Sequence, residues 1–71
     1  MGKHKHLLLH YGTYETGTGW HKEETGQPST LLGEHLPSVL DALSEHGWEV
    51  VGVGPDPNGN NTPALILRRS T

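Results

Sequence analysis

The run Val39–Val53, VLDALSEHGWEVVGV, passes from helical to strand character within one short stretch. Val39, Leu40 and Leu43, with Leu36 and Leu32 upstream, recur at spacings that draw an apolar stripe down one side of a helix. Pro37 is tolerated only in the first turn, where its missing N–H would have had no partner, so the helix is expected to start near Glu34. His46 followed by Gly47 is the expected stop, because glycine takes the left-handed conformation past a last turn without steric cost. Trp48–Val53, rich in β-branched residues, then reads as a strand that opens directly from that stop.

On the C-terminal side, residues 54 to 63 hold Pro55, Asp56, Pro57, Asn58, Gly59, Asn60 and Asn61, a dense cluster of turn formers that predicts a long hairpin loop. Ala64–Arg69 returns as a strand, after which Ser70 and Thr71 are expected to fray. On the N-terminal side, His4–Tyr11 is an apolar run ending at Gly12 and reads as the opening strand. Residues 12 to 30 carry five Thr, four Gly and one Pro, which predicts a loop or ragged hairpin. An extended piece around Tyr14, or from Trp20 to Lys22, could add a fourth strand, but Gly17 and Gly19 argue against regular pairing there. The expected fold is therefore α+β, a single domain over residues 1–71 with one amphipathic helix on a three-stranded, at most four-stranded, sheet. Its order is strand, loop, helix, strand, strand. The first strand can lie parallel to the strand after the helix or antiparallel to the last one, and the pattern does not choose.

Composition narrows the function classes. A chain of 71 residues makes one thin core, and the absence of Cys removes disulfides and thiolate metal sites, so ideal packing or oligomerisation would add most to its stability. Eight acidic side chains against five Lys and Arg give a net charge of −3, which disfavours a nucleic-acid partner. Leu7–Leu9 is too short for a signal-peptide core, and no stretch approaches a membrane span, so a cytoplasmic protein without a membrane partner is expected.

Leu43, Gly47, Trp48, Glu49, Val50 and Val51 match a leucine-x-x-x-Gly-Trp-Glu-hydrophobic signature, and Leu65, Ile66, Leu67 and Arg68 look like a closing strand with a basic end. In these residues, about half the chain, the sequence resembles a family of small bacterial and phage domains of unknown function. That resemblance implies a helix-on-sheet domain with no assigned activity, and the Gly/Thr stretch from 12 to 30 departs from it. A helix leading into Gly-Trp is also similar to small ribonuclease toxins with a double-stranded-RNA-binding-like fold. Their Gly-Ser-His run is missing here, where Gly54-Pro55-Asp56-Pro57 follows Val53.

Six histidines invite a metal reading. On a regular strand His4, His6 and His10 share a face, and imidazoles at i and i+2 could hold Zn²⁺ or Ni²⁺ with a third ligand from elsewhere. The plainer reading is a half-polar sheet face, with no cofactor. His21 beside Trp20, followed by Lys22, Glu23 and Glu24, could supply an acid and a base to a ligand-binding or hydrolytic pocket; a solvated loop is the commoner meaning of such a cluster. No nucleophile elbow or phosphate-cradling loop is present, so a catalytic set is not expected and enzyme status stays open, leaning to none. Asp56–Asn61 fails the calcium-loop pattern at Asn61 and Leu67.

Leu7, Leu8 and Leu9, Val50 and Val51, and Leu65, Ile66 and Leu67 put apolar side chains on both faces of their strands. One helix cannot cover both. The second face then needs the 12–30 segment or another copy of the chain, which favours a homodimeric interaction or assembly module. Leu8, Trp20 and Trp48 are its candidate contact residues, Trp48 with core packing as the stronger claim on its ring.

Overall fold

The computed structural model describes residues 3–57, 59 and 61–70. Five strands and one helix follow in the order β1 (His4–Tyr14), β2 (Gly17–Glu24), β3 (Thr30–Gly33), α1 (Leu36–Glu45), β4 (Glu49–Gly54) and β5 (Ala64–Ser70). They form one antiparallel sheet with spatial order β3-β2-β1-β5-β4. This corrects the expected fold class: the sheet has five strands rather than three or four, and strand dominates over a helix of ten residues. The opening strand lies antiparallel beside the last one, with Leu7 opposite Leu67 and Leu8 opposite Ile66.

The two extra strands come from the segment expected to be a loop. β1 continues through Gly12 to Tyr14, turns over Glu15 and Thr16, and β2 returns with Tyr14 opposite Gly17 and His10 opposite His21. Gly17 and Gly19 do not interrupt this pairing. At Gly19, φ is +148°, and a Cβ would stand 2.6 Å from the carbonyl oxygen of Gly33, so the glycine permits β3 to close against β2. The register slips between Trp20 and His21 at the same place. Leu32 belongs to β3 and not to the helical stripe, because the chain is still extended there.

The helix begins at Leu36, two residues later than expected, with His35 as its N-cap and Pro37 in the first turn. It ends as expected. The N–H of Gly47 donates to the Ser44 carbonyl at 2.9 Å and that of Trp48 to the Leu43 carbonyl at 3.1 Å, the paired closing bonds of a left-handed glycine stop. Arg69 of β5 reinforces that corner, donating from Nη1 to the His46 carbonyl at 3.1 Å with its guanidinium 4.7 Å from the Trp48 ring centre.

Alternation sorts the sheet into two faces. Leu7, Leu9, Trp20 and Leu67 meet Val39 and Leu43 of the helix, with Trp48 closing the cluster and Tyr11, Leu36, Leu40 and Leu65 packed around it. Both indoles are therefore core. Trp20 and Trp48 leave the set of candidate surface contacts, and only Leu8, half-buried on the opposite face, remains in it. Residues 12 to 30 chiefly extend the sheet sideways as β2; over the opposite face they place the Tyr14 ring, with Thr16 and Ser29 beside it. Ser70 pairs with His4 as the end of β5 instead of fraying. In the β4–β5 loop, Gly59 donates to the Asp56 carbonyl at 3.0 Å. The expected turn residues Asn58 and Asn60, and the fraying of Thr71, lie outside the described residues.

Gly19→Ala combines a positive φ with a backbone clash and is expected to cost about 2 kcal/mol or more in urea denaturation. Gly54→Ala, where a Cβ would meet nothing within 4 Å, should stay within about 0.5 kcal/mol of the parent.

Candidate functional site

The β1–β2 hairpin concentrates polar chemistry on the face away from the helix. With the turn over Glu15 and Thr16, strand alternation sets His10, Gly12 and Tyr14 of β1 against His21, Gly19 and Gly17 of β2 on that side. His10 and His21 are 1% and 0% exposed, although they sit on the face that carries no helix. Their rings stack with centres 5.9 Å apart and planes 21° apart. Tyr14 covers them, its ring edge-on to His21 at 4.7 Å and to His10 at 5.5 Å. The cover depends on Gly12, since a Cβ there would stand 2.8 Å from the Tyr14 ring; the aromatic lies across the bare glycine.

Hydrogen-bond partners assign the imidazole protons. His21 Nδ1 lies 3.0 Å from the Gly19 carbonyl oxygen, which can only accept, so Nδ1 carries the hydrogen and Nε2 presents its lone pair. The Thr16 hydroxyl, 2.7 Å from Nε2, donates into that lone pair. His10 takes the opposite tautomer. Its Nε2 faces the Glu23 carboxylate at 2.8 Å, close but off the axis of an aligned hydrogen bond, and the negative charge favours the proton on that nitrogen. The Tyr14 hydroxyl then donates to His10 Nδ1 at 3.0 Å. Two hydroxyl–imidazole pairs thus stand side by side on an open cavity of about 440 Å³ lined by His10, Tyr14, Thr16, His21, Glu23 and their neighbours.

The other predicted site residues scatter. His4 and His6 are exposed near the far end of β1, opposite Ser70 and Arg68, while His10 is occupied by Tyr14 and Glu23. Six residue-to-residue steps of strand, at about 3.3 Å each, separate His4 from His10. Among the described residues no three His, Asp or Glu side chains converge as a metal would require. Trp20 and His21, neighbours in sequence, point to opposite faces, so the anticipated pocket contains the imidazole without the indole. Lys22 turns to the helix side and pairs with Glu24 at 3.2 Å. Tyr14 and Thr16 are the functional candidates that sequence reasoning passed over. The signal for both was the hairpin register, since a two-residue turn at Glu15–Thr16 aligns His10 with His21.

No family model, curated protein or solved structure matches this chain. Among the described residues, no helix is long and apolar enough to cross a membrane.

Tyr14→Phe removes one hydroxyl from His10 while keeping the cover and should cost about 1 kcal/mol. Tyr14→Ala opens both imidazoles to water and should cost about 2 kcal/mol or more. Proton NMR provides a second check: slowly exchanging ring N–H signals of His10 and His21 should survive in the phenylalanine variant and vanish in the alanine variant.

Proposed function

We propose that this domain is a cytoplasmic interaction and assembly module that self-associates through the open β4 edge of its sheet. The observation that carries this reading is the exposure of Val50, Val51, Val53 and Ile66, at 45%, 46%, 67% and 42% respectively. Val50 and Val53 are in register with Leu67 and Leu65, on the helix side, whereas Gly52 is in register with Ile66 on the other. Apolar side chains therefore flank the edge on both faces, which is what a strand added alongside β4 would cover.

Soluble proteins usually blunt such an edge with Lys, Pro or an inward charge. The β4 sequence EVVGVG has none of these, since its one charged residue, Glu49, is drawn to Arg68 of β5 at 3.2 Å. A bulge between Val50 and Gly52 is the single irregularity along it. The opposite edge, β3, has only four residues and offers little backbone to pair with. Val39 and Leu43 of the helix pack on Leu7, Leu9, Trp20 and Leu67, and the valines of β4 are left uncovered. The thin core supports the same reading, because a second copy would remove this patch from water at about 25 cal/mol per Å².

Sedimentation velocity at micromolar concentration should give twice the monomer mass, and Val53→Lys should restore the monomer with an unchanged circular dichroism spectrum. A monomeric parent protein at that concentration refutes the proposal.

A further inference from the structure

The β1–β2 turn holds a hydroxyl group in the arrangement used for nucleophilic attack, at a distance from the β4 edge and independent of it. We propose that Thr16 is an acyl-acceptor residue: its hydroxyl, activated by His21, takes an acyl group from an uncharged or cationic ester bound in the neighbouring cavity. The proposal rests on three features of the hairpin.

The first is the base. His21 Nδ1–H is held by the Gly19 carbonyl at 3.0 Å, so the lone pair of Nε2 is directed at Thr16 Oγ1, 2.7 Å away. A nucleophile hydrogen-bonded to a base that is itself oriented by a third group is the pattern of an activated hydroxyl. The second is rigidity. The ring is fully buried between the stacked His10 and the edge-on Tyr14, so water does not compete for Nε2 and the ring cannot swing away. Thr16 itself is exposed and borders the 440 Å³ cavity, open to an incoming ester.

The third is charge. Glu15 and Glu23 line the same cavity. Their carboxylates give the cavity a negative field. They repel an anionic ester, which sets the class of acyl donor. Ser29 adds a further hydroxyl to the cavity wall.

The step balances without another reactant. Oγ1 bonds to the ester carbonyl carbon as its proton passes to His21 Nε2. The bond from carbonyl carbon to the leaving oxygen then breaks, and that oxygen departs with the electron pair and recovers the proton from Nε2. The products are O-acyl-Thr16 and an alcohol or phenol. Tyr14 is the competing hydroxyl, but its bond to His10 is longer, at 3.0 Å, and Glu23 stands off the axis that would orient that ring.

The test is brief treatment of the full chain with 4-nitrophenyl acetate at neutral pH, acid quench, and peptide mapping by mass spectrometry. Thr13 and Thr18 serve as internal controls, because they lie on the same hairpin and bond to each other at 3.0 Å without an imidazole. Thr16 should be acetylated at least about 100-fold faster than either, the usual scale of a positioned base. Thr16→Ser should keep the reaction and Thr16→Val should abolish the adduct. His21→Gln should lower the Thr16 rate to that of Thr13; should that variant not fold, the comparison within the parent chain still decides. Acetylation confined to lysines or to Tyr14, or a Thr16 rate equal to that of Thr13, overturns the proposal.

Discussion

Strand β1 is hydrogen-bonded on both sides, to β2 and to β5, and every other part of the molecule takes its place from that double pairing. Once β1 lies between them, Leu7 and Leu9 meet Leu67 and Trp20 on one face and the helix has a surface to cover. The other face receives what alternation leaves: His6, Leu8, His10, Gly12 and Tyr14 in succession. The hydrophobic core and the histidine cluster are thus two sides of one strand, and a change of register by one residue would exchange them.

The two faces solve burial differently. On the helix side, apolar area is removed from water by a second layer. On the other side, near the hairpin tip, two imidazoles, His10 of β1 and His21 of β2, are buried under the Tyr14 ring, which folds back from β1. That solution is local, and it works because glycines at 12 and 19 let a ring and a neighbouring strand approach the backbone. It also dictates proton positions, since one imidazole faces a carbonyl and the other a carboxylate, so the neutral rings adopt opposite tautomers. Towards β4 neither solution applies, and the valines stay in contact with water.

Much of the right-hand half of the chain was legible from its residues. The helix, its stop at Gly47 and the strands on either side of the long turn follow from spacing and turn chemistry, which act over a few residues. The left-hand half was not. β2, GTGWHKEE, has one large apolar side chain and two glycines, so no local pattern marks it as a strand. Its pairing comes from its neighbours: β1 on one side, and on the other a β3 whose Gly33 carbonyl fits only against a glycine. Leu32 fits the helical stripe in sequence for the same reason, since a spacing of four to Leu36 cannot register that the chain is still extended. The candidate site shared this fate. His21 was visible as a titratable group beside Trp20, yet its partners Thr16, Tyr14 and His10 come together only once the hairpin has closed.

Residue order alone determined the helix, the two strands that follow it, and the fact that one helix has too little surface to cover apolar residues on both strand faces. Those are consequences of short-range sterics and side-chain period. The number of strands, the central place of β1, the burial of both indoles and the pairing of each hydroxyl with an imidazole were decided by tertiary structure. They depend on contacts between residues far apart in sequence, and a glycine-rich segment becomes a strand only when an adjacent strand supplies the partners for its backbone.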